Sequence, residues 1–184
     1  RQVPYSLLLL IMVALVSCNK ETDKPGGRLL YGPETKIGEG VIRSWVRVTP
    51  DHRPVEIGVS ISKKIVPSLP HEMTEYKLEF PEGVDVRPYN HIVLDWNPQG
   101  HIPATYEHPH FDMHFYMIPD VERKAIPGGP QEHTAEFEAY YMPETYMSAV
   151  DAVPAMGVHW IDALTPELNG EHFTKTYIIG ANQN

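Results

Sequence analysis

The sequence has few of the residues and patterns that mark several large classes of protein. Its 184 residues include one cysteine, Cys18, so no disulfide can form within the chain. Basic residues are outnumbered by acidic ones, 15 to 24, and a net charge of −9 suits a nucleic-acid backbone poorly. No segment keeps a helical apolar period over about 12 residues. The 18 prolines are spread along the chain, which argues against a helical bundle.

Common catalytic motifs are missing as well. The sequence contains no GxSxG nucleophile elbow, no phosphate-binding P-loop, no HExxH zinc motif and no EF-hand loop. We therefore do not predict a serine hydrolase, a P-loop nucleotide-binding protein or a calcium sensor. Ten histidines, in contrast, are many for a chain of this length. The positions of these histidines are the main evidence for a chemical function.

The N-terminal segment predicts export and lipid anchoring. Leu7–Val16 is an apolar run of ten residues, shorter than the ~20 that a transmembrane helix needs and typical of a secretory signal. It ends in Leu15-Val16-Ser17-Cys18, which resembles a bacterial lipobox. We expect a signal peptide over residues 1–17 and a lipidated Cys18 that begins a flexible tether over residues 18–36. The protein would then be anchored to a membrane of the bacterial cell envelope, at its periplasmic or outer surface. An ordinary signal peptide followed by an incidental cysteine is the alternative.

The rest of the chain, residues 37–184, predicts one all-β domain, a β-sandwich or jelly-roll-like barrel with short helical turns. Val41–Thr49 and Val55–Ile61 alternate in polarity and flank a turn, which predicts a hairpin. A short helix is expected at residues 63–69 or 143–150. Further strands are expected at Tyr76–Phe80, His91–Trp96, His110–Ile118 and Tyr177–Ile179.

A row of metal-ligand side chains is the strongest chemical signal. If residues 108–116 form a strand, alternation places large apolar side chains on one face, where they predict a core. Same-face neighbours lie ~6.6–7 Å apart, so two of them can reach one ion and a third cannot without a bend. Further ligands must therefore come from elsewhere. The other face of the strand would carry His108, His110, Asp112, His114 and Tyr116.

Two outside histidines are candidates to complete such a site. His101 follows a Pro-Gln-Gly turn that could fold back over the strand, and His159 lies in a turn that enters a strand. Zn²⁺ is the first choice of ion because imidazole suits it and no thiolate is available; Fe²⁺, Mn²⁺, Ni²⁺ and Cu²⁺ remain open. The predicted metal ligands are His101, His108, His110, His114 and His159.

Two functions follow from this site, and the residues leave both open. One is an enzyme acting on a small molecule, in which the metal activates water or polarises a carbonyl while Glu107 or Asp112 moves protons. The other is a non-catalytic envelope protein whose histidines bind metal or form a polar network without metal. Oligomer formation is open in both cases.

Part of this pattern resembles the cupin motifs. A glycine precedes the His108-Pro109-His110 pair, and Pro154 and His159 have the proline-to-histidine spacing of the second cupin motif. The likeness departs where His114 lies in the region of a cupin glutamate and where the glycine is Gly157. It implies a jelly-roll-like barrel with a metal held inside by imidazoles.

A closer resemblance comes from three strings: WNPQGH at residues 96–101, PHFDMHFY at residues 109–116 and PAMGVHWID at residues 154–162. They resemble the signatures of a family of exported bacterial proteins whose domain has no assigned function. The likeness extends over about residues 37–180. It implies a β-rich exported domain, one or two further strands beyond residue 180, and so a C-terminal truncation or an open sheet edge. It implies no activity. The histidines it singles out are His101, His110, His114 and His159.

Overall fold

The computed structural model describes residues 27–130 and 140–182. In this part of the chain strands predominate, which confirms the all-β prediction, and the helices are few and short. None of these helices is long and apolar enough to cross a membrane. The predicted signal peptide, Cys18 and the first part of the tether lie outside the described residues.

The strands of the described residues are β1 (Arg28–Tyr31), β2 (Thr35–Ile37), β3 (Gly40–Val48), β4 (Pro54–Ile61), β5 (Thr74–Leu78), β6 (His91–Asn97), β7 (His110–Tyr116), β8 (Gly129–Pro130), β9 (Tyr146–Val153), β10 (Gly157–Asp162) and β11 (Ile178–Ala181). The α-helix α1 is Asp120–Lys124, and 3₁₀ helices lie at Lys63–Ser68, Ala104–Tyr106 and Pro166–Asn169.

The strands form three antiparallel sheets. Sheet 1 has the order β1-β3-β2, with β4 also paired to β3. Sheet 2 has the order β5-β6-β7, and sheet 3 the order β11-β10-β9-β8. The predicted hairpin is the β3–β4 pair, in which Trp45 lies opposite Gly58. A Cβ at Gly58 would lie 2.5 Å from the Trp45 ring, so glycine is what lets the indole lie across β4.

The ordered sheet begins earlier than the predicted boundary at residue 37. Residues 28–36, expected to belong to the tether, contain β1 and most of β2. Arg28–Tyr31 pairs with β3 from Val48 back to Trp45. These strands have three or four residues and adjoin Gly and Pro, so their composition is typical of a linker. Pairing with β3, which the local sequence cannot reveal, makes them strands.

The two alternative helix positions have different outcomes. Residues 63–69 contain the 3₁₀ helix Lys63–Ser68, where the Ser62 hydroxyl accepts a hydrogen bond from the Lys64 N–H. Residues 143–150 do not form a helix, because β9 begins at Tyr146 and pairs with β10. Cross-strand pairing again decides the conformation where local preference is weak.

The main core lies between sheets 1 and 2. Phe111 of β7 packs against it, as the alternation predicted. Met113 and Phe115, expected on the same core face, are 46% and 37% exposed. Because β7 is the last strand of sheet 2, the end of its apolar face extends past the covering residues, and that part of the prediction is wrong. The buried core side chains are Ile37, Ile42, Ile65, Leu78, Ile92 and Leu94.

Helix α1 is fixed to sheet 2 by ion pairs of the buried Arg123 side chain. Arg123 is 1% exposed, and its guanidinium donates to both carboxylate oxygens of Glu75 at 2.8 and 3.1 Å. Its Nε donates to Asp120 Oδ1 at 2.9 Å. Sheet 2 also contacts the turn before β10, where the Tyr116 hydroxyl donates to the Ala155 carbonyl at 3.1 Å. This contact brings β10 close to the polar face of β7.

Candidate metal centre

The register of β6 and β7 collects polar side chains on one face of sheet 2. Asn97 lies opposite His110, and Asp95 lies opposite Asp112. His114 follows two residues further along β7, on the same face. The predicted alternation therefore holds from His110 to Tyr116, and the strand begins at His110 rather than at residue 108.

A tight turn folds His101 back over this face. The Gly100 N–H donates to the Asn97 carbonyl at 3.2 Å, and the His101 N–H donates to the Tyr106 carbonyl at 3.0 Å. Gly100 has a φ of +65°, and a Cβ there would lie 2.2 Å from the Tyr106 oxygen. Glycine is required at this position, and the position of His101 depends on it.

Three side chains meet with the spacing of a metal coordination shell. His101 Nε2 lies 3.2 Å from His110 Nε2 and 3.2 Å from Asp112 Oδ2. His110 Nε2 lies 3.4 Å from Asp112 Oδ1. Two ligand atoms ~2.0–2.1 Å from one ion at a tetrahedral angle are about 3.3–3.4 Å apart. The group His101, His110 and Asp112 could therefore hold a metal ion.

The hydrogen bonds of the two imidazoles fix which nitrogens face each other. His101 Nδ1 lies 2.8 Å from the Ile102 carbonyl, and His110 Nδ1 lies 2.6 Å from the His108 carbonyl. A carbonyl only accepts, so both Nδ1 atoms donate, and in neutral rings both Nε2 atoms carry lone pairs. Two lone pairs 3.2 Å apart repel each other unless a proton or a cation lies between them. This is the arrangement of two metal-ligating histidines whose outer nitrogens bond to carbonyls.

Neighbouring groups orient the site and cover one side of it. The Asn97 amide donates to Asp112 Oδ2 at 2.8 Å, which holds the carboxylate in place. Phe173 packs edge-on against the rings of Tyr106 and His110, with centroid distances of 5.3 and 5.5 Å. Asn97 and Phe173 were not among the residues predicted from the sequence for this site. Asn97 could have been found, because it shares a strand face with Asp95, whereas Phe173 comes from a remote part of the chain.

The site is covered on one side and open on the other. The His110 side chain is 9% exposed, whereas those of Asp112 and His101 are 34% and 42% exposed. An ion bound by these three groups would therefore keep part of its surroundings accessible to water or to a small molecule.

The remaining candidate residues lie in different surroundings. His114 Nε2 is 3.1 Å from Asp95 Oδ2, beside the first group. His159, on β10, is partly buried; burial lowers its pKa, and the charges of His114, Asp112 and His101 also act on it. Glu107 and His108 are exposed, and their side chains are not in the three-residue group. His108 contributes its backbone carbonyl, and the roles predicted for both side chains stay predictions.

Fold and site together define an all-β domain that carries a histidine–carboxylate group with metal-ligand geometry. The model of a family described as "TTHB210-like: Hypothetical protein TTHB210" matches residues 51–96 of the chain. Neither the curated proteins nor the solved structures contain a match. The matched segment runs through β4, β5 and β6 and ends at Trp96, before the first of the three candidate ligands. The likeness fits a domain of unknown function, and the case for the site depends on its geometry.

Proposed function

We propose that this protein binds a divalent transition-metal ion through His101, His110 and Asp112. The observation that carries the proposal is the pair of imidazole Nε2 atoms 3.2 Å apart, both left as acceptors by their Nδ1 bonds. A carboxylate lies within 3.4 Å of each of them. An ion among these atoms would replace the repulsion between lone pairs by coordination bonds.

The ligand set narrows the choice of metal. Two imidazoles and one carboxylate suit Zn²⁺, our first choice, and the same set with open positions also suits non-haem Fe²⁺. Mn²⁺, Ni²⁺ and Cu²⁺ remain compatible with these donors. The Asn97 amide donates to the Asp112 carboxylate without neutralising its charge, so the carboxylate stays available as an anionic ligand.

A metal-dependent enzyme is the second candidate function, and the open side of the site favours it. A three-ligand ion keeps a position for water, whose pKa it lowers, or for a carbonyl oxygen that it polarises. Glu107, exposed in the loop between the His101 turn and β7, is the residue we assign to proton transfer in that case. A small molecule would be its substrate. Binding without catalysis remains the simpler proposal.

We also propose that the protein is exported and anchored to a membrane by a lipid on Cys18. They rest on the Leu7–Val16 run and on the lipobox-like Leu15–Cys18 segment. The Cys18→Ala variant should move the protein from the membrane fraction to the soluble fraction of a bacterial host. Unchanged fractionation would contradict the anchor and leave the metal proposal intact.

Metal analysis of the chain from residue 19 onward, which retains every described residue, tests the site. The protein is stripped with a chelator and titrated with Zn²⁺ by calorimetry, beside His110→Ala and His71→Ala. We expect the parent and His71→Ala to bind zinc, because His71 is exposed and outside the group. His110→Ala should lose at least one equivalent. A stripped parent that binds no Zn²⁺, Fe²⁺, Mn²⁺, Ni²⁺ or Cu²⁺ would leave a proton shared in a polar network as the explanation.

A further inference from the structure

The loop between β10 and β11, residues 163–177, is held together by one buried carboxylate. Glu167, in the 3₁₀ helix Pro166–Asn169, is 7% exposed. Its Oε2 atom accepts a hydrogen bond from the Thr165 hydroxyl at 2.8 Å. Its Oε1 atom accepts one from the Thr174 hydroxyl at 3.0 Å and one from the Lys175 N–H at 3.3 Å. The carboxylate therefore joins the start of this loop to its later part.

Glu167 is ionised at neutral pH. The hydrogen bond from Thr165, followed by those from its own N–H, from Lys175 and from Thr174, lowers the pKa of Glu167 to about 2. Hydrogen bonds to an ionised carboxylate are stronger than those between neutral groups. Removing this side chain would leave the donors of Thr165, Thr174 and Lys175 without their acceptor, so the later part of the loop would lose its attachment to the start.

Phe173 lies directly before the two residues that Glu167 holds, and it contacts the candidate metal centre. Its ring meets those of Tyr106 and His110 edge-on, at interplanar angles of 72° and 77°, which is a favourable arrangement for aromatic pairs. Tyr106 is itself 4% exposed and therefore fixed in place. Packing against Phe173 limits the directions in which the His110 ring can turn.

We propose that Glu167 is a positioning residue of the metal centre. Its carboxylate holds the loop so that Phe173 stays against His110, and Phe173 keeps that imidazole oriented toward the ion. This inference rests on the proposed function, because the ion is what the oriented imidazole would hold. Glu167 itself is not in the three-residue group that could bind the metal.

The expected effect is on the rate at which the metal leaves. An ion is released only after its ligands turn away in succession, and a ring that packing prevents from turning binds the ion again first. Residues that orient metal-ligating histidines from outside the coordination shell typically change metal affinity about 10–100-fold when they are mutated. Glu167 should therefore slow metal release without contacting the ion.

Stopped-flow measurement of zinc release tests this inference. The chain from residue 19 onward is stripped, loaded with Zn²⁺ and mixed with a chromogenic chelator. Phe173→Ala and Glu167→Ala should each release zinc about tenfold faster than the parent. The double variant should release it no faster than either single variant, because both substitutions remove the same contact. Glu171→Ala, which changes an exposed glutamate of the same loop, is the matched control and should release zinc at the parent's rate.

The outcomes separate this inference from the proposed function. A parent that binds no zinc would overturn both. A parent that binds zinc, with Glu167→Ala releasing it at the parent's rate, would overturn the role of Glu167 alone. Multiplied effects in the double variant would show that Glu167 does not act through Phe173. If Glu167→Ala does not fold, Glu167→Gln replaces it and should release zinc faster than the parent and more slowly than Phe173→Ala.

Chemical labelling of His110 gives a second measurement, which needs no metal. Diethyl pyrocarbonate modifies accessible neutral imidazoles, and mass spectrometry of the peptides measures its rate at each histidine. In the zinc-free chain, His110 should react faster in Phe173→Ala and in Glu167→Ala than in the parent. Equal rates in all three proteins would contradict the shielding of His110 by this loop.

Discussion

At the scale of single residues, Arg123 shows how a buried charge is stabilised beside the polar face. Its guanidinium contacts Glu75 and Asp120 and lies over the Tyr116 ring, 5.2 Å from its centroid. Arg123→Met should lower the free energy of unfolding by about 1.5–3 kcal/mol, because it removes charged hydrogen bonds from a buried position. Urea unfolding measures the change. Lys124→Met, which removes an exposed partner of Asp120, should cost less than about 1 kcal/mol. An equal loss of unfolding free energy in both variants would contradict a stabilising role for the buried hydrogen bonds of Arg123.

The buried His91 side chain should make the stability of the folded protein depend on pH. Its side chain is fully buried; burial lowers its pKa, and the negative charge of Asp120 opposes that effect. The folded state therefore binds its proton less readily than the unfolded state, whose histidine pKa is about 6.5. Stability conferred by neutral His91 is present above that pH and decreases as the pH falls below it.

The His91→Phe variant isolates this contribution. Phenylalanine keeps the ring that stacks on Tyr116, at a centroid distance of 5.1 Å in the parent, and removes the titrating nitrogens. Urea unfolding between pH 7.5 and 5.5 should show a smaller loss of stability in this variant than in the parent. His71→Phe, on an exposed histidine, should keep the parent's slope. Parallel slopes for His91→Phe and the parent would show that His91 does not contribute.

At the scale of elements, the turn after β6 determines the position of His101. A methyl group at Gly100 would meet the Tyr106 carbonyl, whereas Gly83, with a φ of +75°, has open space around its Cβ position. Gly100→Ala should weaken zinc binding at least tenfold in calorimetry, and Gly83→Ala should leave it unchanged. Both variants carry the strain of a positive φ, of order 1–3 kcal/mol. Equal zinc affinities in the two variants would show that the turn does not position the ligand.

How well these elements can be predicted depends on how far apart in the sequence their interacting residues lie. The alternation of His110, Asp112 and His114 was readable because a strand face has a local period of two. The return of His101 was expected from its turn, which is also local. The exposed end of β7 depends on which strand lies at the edge of sheet 2, and the contact of Phe173 depends on where a remote loop packs. Both are set by contacts between distant segments, which one sequence does not display.

At the scale of the whole molecule, metal binding should increase stability. A ligand that binds only the folded state stabilises it by about 2.7 kcal/mol at a free concentration one hundred times its dissociation constant. The melting temperature of the stripped chain should therefore rise as Zn²⁺ is added, measured by circular dichroism. The rise should be reduced in His110→Ala and unchanged in His71→Ala. A melting temperature independent of zinc in the parent would contradict specific binding to the folded state.

An ion held by His101, His110 and Asp112 would join only a short part of the chain. The three ligands lie within 12 consecutive residues, so the ion closes a short loop and restricts the unfolded chain little. This loop connects β6 to β7. Chelation should therefore speed amide hydrogen exchange locally, in residues 98–109. The sheet 1 amides, which lie outside this loop, would exchange at an unchanged rate.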